Sequence, residues 1–183
     1  MKNLLTIAVL LLLCYSCNQP ATETETETKD EQTVSGGQEN VNDDVSEKDV
    51  VKVAIASKDH KTLVAALKQA DLVTSLSNAG PFTVFAPTDD AFSKLPAGTV
   101  DELMKDESKE KLQNILQYHV TLSAMKIESF KDGQTLGMVD GSNATIHIKD
   151  GKTLINDAVI IASVPASNGV IHVIDKVLLP SSK

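Results

Sequence analysis

Four histidines, an adjacent carboxylate pair and two cysteines are the groups of this chain most open to a chemical reading. Asp89 and Asp90 stand side by side, and paired carboxylates can share acid–base work. Their context argues against it: they follow Thr88, a good N-cap residue, and consecutive helical residues do not share a face. Negative charge in a first helical turn suits the helix dipole instead. His60, His119, His147 and His172 form no pair at metal-ligand spacing, and no acidic cluster completes a site beside them. His147 and His172 lie within Ile146-His147-Ile148 and Ile171-His172-Val173, strand contexts in which a histidine packs or is half-exposed. No Gly-x-Ser-x-Gly elbow and no glycine-rich phosphate loop occurs. The expectation is a non-enzyme with no metal and no cofactor.

Cys14 and Cys17 close an apolar run from Leu4 to Leu13 that follows Lys2. A basic start and an apolar stretch of about 10 residues match a secretory leader and fall short of the roughly 20 residues a spanning helix needs. With no later cysteine, a disulfide framework and a thiolate metal site are excluded from the remainder. The Ser16-Cys17 junction resembles a bacterial lipobox, which implies lipidation at Cys17. The position three before it, usually leucine in that pattern, is Cys14; a plain secretory cut nearby is the alternative. More than one acyl chain, as bacterial lipoproteins carry, is what stable anchoring requires.

The net charge of −8 is unevenly placed: residues 18–50 hold ten acidic groups against Lys29 and Lys48, and residues 51–183 are close to neutral. There is no arginine, so bidentate phosphate clamps are lacking and nucleic acid is not an expected partner. Residues 18–45 are Thr, Glu, Gln, Gly, Asn and Asp with almost no large apolar side chain, a composition that cannot offset the entropy of ordering. About 28 such residues would span roughly 30 Å as a tether. The expected organisation is a leader over 1–17, an acidic disordered spacer over 18–45 and one folded domain over 46–183.

Within that domain, the elements that must position the histidines begin with helices. Ser46 and Asp49 have capping-box spacing ahead of Val50, Val53 and Ala54. Leu63, Leu67 and Ala70 predict a second helix, and Leu72, Val73 and Leu76 a short third, stopped by Asn78-Ala79-Gly80-Pro81. Phe82 to Ala86 is β-prone and ends at Pro87; Thr88 then caps a turn through Phe92. Thr99 and Glu102 suggest a second capping box around Leu103. Leu112, Ile115, Leu116 and His119 follow at 0, 3, 4 and 7, one face of a helix. His119 therefore sits on an apolar face, where a buried, hydrogen-bonded histidine is the commoner outcome. Beyond it, residues 134–138, 144–148, 153–155, 158–164 and 170–179 read as strands. Asp140-Gly141 and Asp150-Gly151 supply turns, and Asn168-Gly169 a tight turn with Gly169 free to take positive φ. Helices first and strands later indicate an α+β fold.

Three segments together resemble the fasciclin domain family: Gly80-Pro81-Phe82-Thr83-Val84-Phe85-Ala86-Pro87-Thr88-Asp89-Asp90-Ala91-Phe92, the Tyr118-His119-Val120 turn, and Asn168 to Pro180. The resemblance covers about residues 47–180. It implies an α+β fasciclin-like fold, a β-sandwich or wedge of short strands with a packed layer of short helices. It also implies a role in cell adhesion or in matrix and surface contacts; a minority of similar proteins carry hydrophobic pigments. In animal members a Tyr-His motif with branched apolar neighbours is linked to integrin binding, which would carry over to Leu116, Tyr118, His119 and Val120. The acid expected ahead of Asn168-Gly169 in the companion motif is replaced by Ser163-Val164-Pro165. The resulting expectation is a lipid-anchored binding or adhesion module of the cell envelope, exported and periplasmic or surface-facing. Its partner would be an unidentified protein or an envelope or matrix component, with the membrane reached only through the anchor. The alternative is a carrier of a small hydrophobic ligand, against which six aromatic residues are few for stacking.

Overall fold

The structure is a computed structural model that describes residues 48–180. The leader, Cys17, the acidic spacer and Ser46 lie outside the described residues. The first helix, α1 (Val50–Ala56), is capped by Asp49, whose carboxylate accepts from the Val51 and Lys52 amides. Asp49 is thus the N-cap itself and not the third residue of a box opened by Ser46. α2 (Lys61–Gln69) and α3 (Val73–Ser77) follow as the apolar spacing predicts, with Leu63, Leu67, Ala70 and Leu76 buried. Strand β1 (Phe82–Pro87) leads into α4 (Asp89–Ser93), where the Thr88 hydroxyl accepts from the Ala91 amide. α5 (Thr99–Leu103) departs from expectation. Gly98, at φ 83, is its N-cap, and Thr99 is its first residue without a capping role. Only glycine adopts that backbone at little cost, so the reversal after Pro96 falls to Gly98.

α6 (Lys109–Gln117) buries Leu112, Ile115 and Leu116 and delivers the chain to β2 (Val120–Thr121), two residues too few to show in the sequence pattern. Then come β3 (Thr135–Gly137), β4 (Asn143–Lys149), β5 (Lys152–Ile155), β6 (Ala158–Ala166) and β7 (Gly169–Ile174). The last is shorter than the apolar run 170–179. After Ile174, Asp175 turns to β6, its amide donating to the Val159 carbonyl and its carboxylate accepting from the Val159 amide. Asp150 and Gly151, both at positive φ, make the two-residue β4–β5 hairpin expected of that dipeptide.

The seven strands run in the order β2-β1-β7-β6-β5-β4-β3, with β1 and β7 parallel and the other neighbours antiparallel. Alternation along the central strands divides the core. Val84 and Ala86 of β1 and Ile171 of β7 face the helices. Phe85 and Ile174 face the opposite way and meet Leu136, Ile146, Ile155 and Ile160 from β3, β4, β5 and β6. The sheet folds over that second core while the helices cover its other side, the wedge-with-helical-layer arrangement of an α+β fold. Gly169 does not supply positive φ. A Cβ there would lie 2.1 Å from the Phe82 carbonyl oxygen, so its lack of a side chain lets β7 start beside β1.

Candidate functional site

The end of α6 places the Tyr118-His119-Val120 turn against β1 and the segment after β7. Leu116, Tyr118, His119 and Val120 are all buried. His119, 3% exposed, has its Nδ1 2.7 Å from the Ile115 carbonyl oxygen, and the Leu178 amide donates to its Nε2 at 3.0 Å. A carbonyl can only accept and an amide N–H only donate, which assigns the neutral ring with its proton on Nδ1. The ring thereby satisfies a carbonyl that the helix end leaves open and ties the C-terminal segment to α6. Burial pushes its pKa down to about 4, with the Ile115 carbonyl opposing. The Tyr118 hydroxyl donates to the Asn143 carbonyl and accepts from the Asn156 amide, joining α6 to β4 and to the β5–β6 turn. As a set, these four residues hold the fold together and present little surface to a partner.

His172 is fully buried and packs against both the Phe85 and Phe130 rings, which also contact each other. Its Nε2 faces the Met125 carbonyl at 2.9 Å, so Nε2 carries the proton and Nδ1 accepts from the Ser163 hydroxyl at 2.7 Å. Burial lowers its pKa, while the Met125 carbonyl and the Glu128 charge oppose. His60 bonds the Ser57 hydroxyl through Nδ1 at 2.7 Å, and its buried Nε2 has no hydrogen-bond partner among the described residues. Burial lowers its pKa too, against Asp59, Asp89 and the nearby Ala86 carbonyl.

Asp89 and Asp90 are not a pair. Asp89 accepts from the Lys61 and Thr62 amides and so caps α2 across the chain. Burial raises its pKa, but the hydrogen bonds from Thr62 and Lys61 outweigh this and hold it below the usual carboxylate range. Among the described residues no group of three or more His, Cys, Asp or Glu side chains is placed to hold a metal. Nor is any described helix long and apolar enough to cross a membrane.

One residue does more than its turn position suggested. Asn168 accepts from the Val50 amide through Oδ1 and donates through Nδ2 to the Leu76 and Asn78 carbonyls. The β6–β7 turn is thereby pinned to α1 and α3.

Clefts open around this frame, three of which bear on function. One of about 310 Å³ lies between α1, His60 and the β6–β7 surface, walled by Val53, Ala54, Ile161, Val164 and Val173. A second, of about 290 Å³, is lined by Phe82, Leu116, Val120, Leu122 and Val139. A third, of about 450 Å³, lies between α1, the end of α2 and α3. Leu116 and Val120, two of the residues singled out through the family resemblance, line the second cleft, and the first lies between the helical layer and the sheet, where a hydrophobic ligand was expected. The remaining lining residues were not legible in the sequence, because each cleft is built from elements whose proximity only the tertiary fold creates.

The fasciclin domain family model matches residues 58–180. The chain belongs to the fasciclin family. Protein sll1483 of Synechocystis sp. is 52% identical over 132 residues, 72% of this chain and 73% of that one. Transforming growth factor-beta-induced protein ig-h3 of Sus scrofa is 36% identical over 124 residues, 67% of this chain but 18% of that longer protein. Among solved structures, a FAS1 domain pair from the insect cell adhesion molecule fasciclin I matches with a TM-score of 0.61 at 20% identity. The match covers 73% of this chain and 51% of that one, and it shows the shared fold.

Proposed function

We propose that this chain is an exported, lipid-anchored module of the cell envelope that makes adhesive or binding contacts and performs no catalysis. The observation that carries the reading is what the fold does with its reactive groups. His119 and His172 each engage two fixed partners, and Asp89 caps a helix, so these groups serve the architecture of a family that includes a cell adhesion molecule. The lipobox-like Ser16-Cys17 and the acidic spacer support an anchor at Cys17 that presents the domain away from a membrane. Cys17→Ala should move the protein from membrane to soluble fractions with the domain still folded. Retention in the membrane fraction would remove the anchor from the proposal. Protease added to intact cells, with a periplasmic protein as control, reads the exposed face: release of the domain supports contact with other cells or matrix, and protection excludes it.

A second reading, carriage of a small hydrophobic ligand, is favoured by the cleft of about 310 Å³ between α1 and the sheet. Its walls are mainly valine, alanine and isoleucine, and Ile161 at its rim is 59% exposed. Protein purified from its source should then release a hydrophobe into organic solvent, and an empty extract counts against carriage.

A further inference from the structure

The cleft between α1, the end of α2 and α3 holds polar groups that the fold leaves idle. Ser77 lines it at 2% exposure, and its Oγ has no hydrogen-bond partner among the described residues. Buried hydroxyls are normally partnered, because an unmade bond leaves desolvation uncompensated. Lys52 and Lys68 line the same cleft, and neither belongs to an ion pair among the described residues, where the pairs are Lys109–Asp71 and Lys176–Asp157. Asp71 closes one end, its carboxylate held by Lys109 from α6. Val51 and Ile55, the latter 52% exposed, add an apolar wall.

We propose that this cleft binds an acidic saccharide, with the sugar carboxylate between Lys52 and Lys68, a ring hydroxyl meeting Asp71 and the buried Ser77 hydroxyl turning to meet another. This names the ligand class of the binding module proposed above and rests on that reading. The volume of about 450 Å³ lies within the usual range for small-ligand sites. A bare anion would occupy the lysine end and leave the hydroxyl, the carboxylate and the apolar wall unused. A sugar ring matches all of them, since its hydroxyls donate and accept while its C–H face packs on valine and isoleucine. Phosphate-rich ligands fit less well, because the chain has no arginine to clamp them.

The test is titration calorimetry on the full chain in detergent, with a uronic acid tetrasaccharide as probe. A neutral glucose tetrasaccharide, inorganic phosphate and an acidic peptide serve as controls. The uronate should bind, more weakly as salt rises, and the neutral sugar should not. Lys52→Ala with Lys68→Ala should weaken binding about tenfold or more, the loss expected for two charge-assisted contacts. Ser77→Ala should also weaken binding while the thermal midpoint holds or rises, because an unpaired hydroxyl has been removed. Equal binding of phosphate or of the peptide would overturn the saccharide assignment. No heat with uronate, or a Ser77→Ala variant that loses stability but keeps affinity, would overturn the site. If Cys17→Ala still releases the protein and the domain is still surface-exposed while uronate fails to bind, only this inference falls.

Discussion

Acidification should destabilise this domain in a window set by its buried histidines, and His119 allows the size of the effect to be worked out. The folded ring has a pKa of about 4, against 6.5 when the chain is unfolded. Between those values the unfolded state binds the extra proton, so stability rises with pH across the window. The His119 contribution is therefore complete above pH 6.5 and is lost as pH falls toward 4. Taking the domain from pH 7 to pH 4.5 removes about 2 kcal/mol through this ring alone. Burial is the main cause, and the geometry agrees with it: a second ring proton would sit on Nε2, where the Leu178 amide already points its own hydrogen. His119→Gln isolates the effect, since an amide can donate to the Ile115 carbonyl and accept from Leu178 but does not titrate in this range. Urea unfolding of the Cys17→Ala chain and of its His119→Gln derivative, from pH 7 to pH 4.5, gives the two slopes. His60 and His172 also lose stability on acidification, because burial lowers both pKa values, but they are common to both proteins and cancel in the comparison. The Asp89 carboxyl, held low, contributes stability that is lost only at still lower pH. The native histidine should give a steeper line, by about 2 kcal/mol over the window. Parallel lines would refute the assignment of His119 as a buried neutral ring.

Asn168→Ala removes one acceptor and two donor contacts, leaving the Val50 amide and the Leu76 and Asn78 carbonyls to find other partners. At about 1 kcal/mol per typical bond and more for a stranded buried group, urea unfolding should show a loss of roughly 2–4 kcal/mol. Gly169→Ala places a methyl group 2.1 Å from the Phe82 carbonyl oxygen, so β1 and β7 must separate. A loss at or above the upper end of the usual 1–3 kcal/mol for overpacking is expected in the same assay, and a change under about 0.5 kcal/mol would show that the strands do not approach as closely as described.

What could be read from the sequence, and what could not, divides by the distance over which each residue finds its partner. The Thr88 cap, the Asp150-Gly151 hairpin and the buried spacing of Leu112, Ile115 and Leu116 depend on neighbours a few positions away, and all three form as their local chemistry dictates. Errors arise where a distant element intervenes. β2 exists because Val120 and Thr121 meet β1 on one side, while the Val139 amide reaches the Val120 carbonyl on the other. The apolar run after Ile174 leaves the sheet because Asp175 claims both hydrogen-bonding groups of Val159. The candidate site follows the same rule more strongly. His119 could be placed on an apolar face, but its partner at Leu178 is 59 residues away. Asn168 looked like a turn residue because the groups it holds at Leu76 and Val50 are 92 and 118 residues away. Whether a polar side chain is structural or free to bind is decided by such distant partners and not by its type or local spacing. On that criterion His119 and His172 are committed to the fold, whereas Ser77, whose hydroxyl has no partner among the described residues, is the group the saccharide proposal puts to the test.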